Sequence, residues 1–108
     1  MIRKIQHKQI VRLSDQIEIR KHEVVSKTLC QNTAVSVTLF AFDIEEEIST
    51  HASGGDAMVQ VLEGKAKITI DQLSYKACEG EAIIMPANVP HALYAIEPCK
   101  LLLTVVFL

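Results

Sequence analysis

The sequence predicts an all-β domain of antiparallel strands, a sandwich or barrel with little or no helix. Three observations predict it. Short apolar runs with two-residue alternation recur at nearly regular spacing. The segments between them carry Gly, Pro, Asn and Asp, the residues of turns. No segment of useful length keeps an i, i+3, i+4, i+7 apolar stripe behind a cap.

Gln9-Ile10-Val11-Arg12-Leu13 reads as a short strand or one helical turn, and Ile17-Glu18-Ile19-Arg20 alternates like a strand with one wet face. Val24 to Leu29 is rich in β-branched residues and extended, and Gln31-Asn32-Thr33 turns it. Ala34 to Phe42 is the first strong strand, with Val35, Val37, Leu39 and Ala41 on one face and Ser36, Thr38, Phe40 and Phe42 on the other. The glutamates Glu45, Glu46 and Glu47 mark a solvated edge or turn, and His51 ends a short strand before the loop Ser53-Gly54-Gly55-Asp56. Met58 to Leu62, Lys65 to Ile70, Leu73 to Cys78 and Ala82 to Met85 are strands joined by turns at Glu63-Gly64, Asp71-Gln72 and Glu79-Gly80. Pro86 to Pro90 is a rigid loop, because neither proline offers an N–H to a ladder. Ala92 to Ile96 and Leu101 to Phe107 complete the set.

The 108 residues, 49% of them hydrophobic, suit one domain over 1–108: N-terminal strands over about 1–33, then a barrel over about 34–108. A net charge of −2 offers no basic excess for a phosphate backbone, so nucleic acid is not an expected partner. The first residues lack the apolar block of a signal peptide and no run is long enough to span a bilayer as a helix, so no membrane partner is expected and the cytoplasm is the expected location. Cys30, Cys78 and Cys99 show no C-x-x-C spacing and are expected to be reduced, packed thiols.

Chemistry gathers between His51 and His91. One half of that stretch is His51-Ala52-Ser53-Gly54-Gly55-Asp56-Ala57 running into Val61-Leu62-Glu63-Gly64, and the other runs from Gly80 through Met85-Pro86-Ala87-Asn88-Val89-Pro90 to His91. The two halves resemble the paired motifs of the cupin superfamily. The family's second motif runs glycine, five residues, proline, one residue, glycine, two residues, histidine, three residues, asparagine. Gly80, Pro86 and His91 match it, Asn88 replaces the inner glycine, and Ala95 replaces the asparagine. In the first motif His51 and Gly64 match, Ser53 stands for the second histidine, Ala57 for the glutamate and Glu45 for the leading glycine. The resemblance covers about residues 35–107 and implies an antiparallel double-stranded β-helix, the RmlC-like jelly-roll barrel.

In metal-binding cupins three histidines and a glutamate from these motifs hold a divalent ion. Here His51 and His91 keep two of the four positions. Asp56 is the nearest carboxylate able to complete a two-histidine-one-carboxylate set, if Gly54-Gly55 turns it inward against strand parity; otherwise it caps its own loop. Ser53, Gln60, Met58 and Met85 are the candidate ligand-binding residues, with Phe40, Phe42, Leu93 and Tyr94 adding apolar bulk or simple core. The leading expectation is a barrel that binds a small molecule, with a divalent ion (Mn, Fe, Ni, Cu or Zn) on His51 and His91. Whether it is an enzyme is open; if so, its chemistry is metal-assisted. The alternative is a metal-free, non-catalytic binding or sensing module.

The C-terminal run Leu101 to Leu108 is apolar on both faces, as are Leu39 to Phe42. A lone sandwich shows water one polar face. The pattern predicts a homodimer in which a partner covers the second apolar face.

Overall fold

A computed structural model describes all residues from Met1 to Leu108. A single 3-10 turn, Leu13–Gln16, precedes nine strands. They are β1 (Val24–Gln31), β2 (Val35–Phe42), β3 (Glu47–His51), β4 (Asp56–Glu63), β5 (Lys65–Ile70), β6 (Leu73–Cys78), β7 (Ala82–Met85), β8 (His91–Ala95) and β9 (Cys99–Val106). They form a five-stranded sheet ordered β1-β2-β9-β4-β7 and a four-stranded sheet ordered β3-β8-β5-β6, and every pairing is antiparallel. This is the expected jelly-roll barrel.

Two-residue alternation decides what lies between the sheets. Ala57, Val59 and Val61 of β4 point inward with Leu101 and Val105 of β9, meeting Ala66, Ile68, Leu93 and Ala95 of the second sheet. Phe42 and Met85 close this core, each almost wholly buried. Burying a side chain of that size stabilises the fold by about 1.5–3 kcal/mol.

The N-terminal third departs from expectation. Ile17 to Arg20 is extended but joins no sheet, and residues 9–13 form neither a strand nor a full helical turn, the 3-10 turn starting only at Leu13. Residues 1–20 are an arm laid across the outer face of the five-stranded sheet. Ile17, with Ile5, Leu13 and Ile19, packs on Leu29, Leu39, Ala41 and Leu102. Packing rather than ladder bonding holds the arm, helped by Arg3 N–H donating to the Leu29 carbonyl at 2.7 Å. Lys27 Nζ and Lys100 Nζ donate to the Gln16 and Ser14 carbonyls at 3.2 and 2.6 Å. At the end of the arm Asp43 accepts from the His22 and Ile44 backbone N–H groups, which holds its carboxyl below the usual range. The doubly apolar pattern of β2 and β9 thus has a cover within one chain over its β1-β2-β9 half. Ile84, Val106 and Phe107 stay exposed around the other half.

Candidate functional site at the barrel mouth

The two histidines meet. His51 ends β3, His91 opens β8, and the two are direct cross-strand partners. Simple alternation from Ile48, which packs on the core, would turn His51 outward. A bulge between Ile48 and His51 sets three residues of β3 against two of β8 and brings His51 round to the face that His91 occupies. The imidazole Nε2 atoms are 3.2 Å apart, with ring centroids at 4.4 Å and planes at 76°. His91 is 3% exposed, whereas His51 lies open at the mouth.

Each ring is oriented from behind. Nδ1 of His51 is 2.9 Å from the Ser49 carbonyl, and Nδ1 of His91 is 3.1 Å from the Val89 carbonyl. A carbonyl only accepts, so both Nδ1 atoms carry the proton and both Nε2 atoms present lone pairs to each other. That contact is unfavourable unless a proton or a cation lies between them. Desolvation, then the neighbouring His51, lowers the pKa of His91, while the Val89 hydrogen bond opposes the shift. His91 therefore resists taking the proton.

The donor chemistry fits a divalent ion as far as it goes. Two nitrogens each ~2.0–2.1 Å from one tetrahedral or octahedral ion stand about 2.8–3.4 Å apart, and the observed separation lies inside that span. A backbone carbonyl on the far ring nitrogen is also the usual support of a ligating histidine. No group of three or more His, Cys, Asp and Glu side chains is assembled anywhere in the chain.

Asp56 accordingly does not join the histidines. Its Oδ1 accepts from the Ala87 N–H at 2.8 Å, and the Ser53 carbonyl accepts from the Asn88 N–H at 2.7 Å. These two bonds tie the loop after His51 to the loop before His91. The aspartate caps a loop, but the opposite one from that expected. Asn88 sits at φ 64°, a left-handed conformation that asparagine tolerates, which explains its standing in a glycine's place. Ser53 Oγ accepts from the Gly55 N–H at 3.2 Å.

Two candidate ligand-binding residues lie on the wrong side of the sheet. Since Ala57, Val59 and Val61 face the core, Met58 and Gln60 face outward. Tyr94 also faces outward, with Lys67 Nζ 5.0 Å from its ring centre. Met85 is inside but packed into the core. Ile70 and Leu73 went unnoticed in the sequence. Register sets His51, His91, Ile70 and Leu73 in one row across the inner face of the second sheet, with Leu73 65% exposed. The signal was present in the pairing of Ile70 and Leu73 around the Asp71-Gln72 turn, but only the β5–β8 register ties that pair to His91.

The family model described as Cupin domain matches residues 38–106. The chain belongs to the cupin family. Among solved structures, it is similar to SPY1581, a protein of unknown function from Streptococcus pyogenes, at 45% identity and TM-score 0.95, covering 97% of this chain and 92% of that one. A cupin superfamily protein from Desulfitobacterium hafniense is 26% identical at TM-score 0.94, over 98% and 97% of the two chains. A Cupin 2 conserved barrel domain protein from Leptotrichia buccalis is 33% identical at TM-score 0.84, over 86% of this chain and 45% of that one. No curated protein matches. This cupin has the family's barrel, and His51 and His91 stand side by side where β3 ends and β8 begins.

Proposed function

We propose that this cupin binds a small molecule at the barrel mouth, with a divalent ion (Mn, Fe, Ni, Cu or Zn) held by Nε2 of His51 and of His91. The observation that carries the reading is the pair of converging lone pairs, each ring locked by a carbonyl on its other nitrogen. Such an ion, when bound, supplies Lewis-acid polarisation of a substrate oxygen and open coordination positions. The chain's own residues do the rest. The Ser49 and Val89 carbonyls fix the rings, Asp56 and Ser53 hold the two loops together, and Ile70 and Leu73 offer an apolar shelf beside the imidazoles.

Metal analysis of protein purified without a histidine tag tests this. About one ion per chain is expected, lost in His51→Ala and in His91→Ala. Protein that carries no metal, and whose melting temperature ignores all five added ions, overturns it. The second reading, a metal-free binding or sensing module, draws on the pair having no third protein donor. That reading expects a ligand to bind in the presence of a chelator.

The proposal includes a cytoplasmic homodimer. Its contact is the outer sheet region that the arm leaves open, where Met58 pairs with Ile84 and Val106 stands beside them on the same face. Light scattering at micromolar concentration should give twice the chain mass, and Ile84→Lys should halve it.

A further inference from the structure

A different place in the molecule has the chemistry of a binding site: the gap between the N-terminal arm and the sheet it covers. A groove of about 640 Å³ runs there, with apolar walls from Ile2, Ile5, Leu13, Leu29, Val37 and Leu102. That volume lies within the roughly 300–1,000 Å³ common for ligand pockets. A second, polar concavity adjoins it and shares Ile5, Gln6 and His7 with it. Lys4, His7 and Lys27 line this second space, and no Asp or Glu lines either one. Lys27 uses one N–H on the Gln16 carbonyl and keeps its other donors. His7 Nε2 is 3.0 Å from the Ile2 carbonyl, which sets the ring between the two spaces.

An apolar trough bordered by an acid-free, lysine-lined concavity is complementary to one kind of molecule. We propose that this arm groove binds a single medium-chain fatty carboxylate, its alkyl chain over Leu29, Val37 and Leu102 and its carboxylate against Lys4 and Lys27. The site is independent of the barrel mouth. Alkyl burial supplies the affinity and the two ammonium groups select the head.

Sodium decanoate, kept below its micelle concentration and titrated into the full chain, is the probe. Calorimetry is expected to give one site per chain. Amide resonances of Leu29, Val37 and Leu102 should move while that of His91 stays. Decyltrimethylammonium, with the same tail and an inverted charge, should bind about tenfold more weakly, and Lys4→Glu should weaken decanoate about fivefold. Lys4 is exposed, so that variant keeps the fold. Equal affinity for the two amphiphiles overturns the proposal, as do shifts confined to the mouth or binding only to phosphatidylglycerol vesicles. Groove amides of Leu29, Val37 and Leu102 that are already protected by a second copy in the ligand-free protein, and lose that protection on dilution, overturn it as well.

Discussion

Nε2 of His51 faces Nε2 of His91 at 3.2 Å, and neither nitrogen has a proton of its own to offer the other. Burial and the neighbouring His51 both oppose a positive charge on His91, so the metal-free protein should respond to pH. The pKa of His91 is below its ordinary value in the fold, and the unfolded chain therefore binds more protons just under pH ~6.5. The stability tied to this ring is complete above about pH 6.5 and is lost as pH falls through the lowered value. Urea unfolding of metal-free protein should show stability falling from pH 7.5 towards pH 5, and His91→Gln should flatten that dependence.

Asp56 acts on the site through the Ala87 backbone. Asp56→Ala leaves that N–H without its acceptor and is expected to cost about 1–2 kcal/mol. The His51 and His91 ring resonances should broaden as the two loops loosen, and Asp56→Asn, which keeps an acceptor oxygen, should restore most of both losses.

Two positions with left-handed backbone should answer in opposite ways. Glu45 is exposed at φ 68°, where an L side chain costs about 1–2 kcal/mol, so Glu45→Gly should raise stability by about 1 kcal/mol. Gly64 has φ 83°, and a Cβ there would meet the Pro98 carbonyl and lie 2.8 Å from Cys99 Cα. Gly64→Ala is expected to cost about 3 kcal/mol or more. Thermal unfolding of the two variants checks both signs.

Burial pushes the Cys99 thiol up to about 12, and its side chain is sealed in the core. Cys78, partly exposed at the end of β6, should react with a thiol reagent at pH 8 in the native protein, while Cys99 should react only after unfolding. Mass spectrometry of the labelled peptides distinguishes them.

The arm should behave as part of the core it covers. Ile17→Ala removes a side chain packed on Leu39 and Ala41 and is expected to cost about 2–4 kcal/mol. Hydrogen exchange in that variant should rise first along residues 1–20.

The barrel strands were legible because each carries its own alternation: β4 to β9 follow from apolar residues two apart and from turns at Gly64, Asp71 and Gly80. The meeting of His51 with His91 was legible through the resemblance of the stretches around them to the paired cupin motifs, with His51 and Gly64 in one and Gly80, Pro86 and His91 in the other. Met58 and Gln60, offered as ligand-binding residues, alternate with the inward Ala57, Val59 and Val61 and so face away from the barrel interior.

Other features depended on contacts between segments distant in sequence. The bulge that turns His51 inward is a mismatch between β3 and β8, and neither strand carries it alone. The destination of Asp56 was set by a loop thirty-one residues away. The alternation of Ile17 to Arg20 suggests a strand, yet the segment joins no sheet and instead packs with the rest of the arm over Leu39 and Leu102, whose outer faces the sequence assigned to a partner. Alternation is local and survives in the chain order; register, bulges and the choice of cover are settled only when whole sheets pack, because their energies belong to pairs of surfaces rather than to either segment.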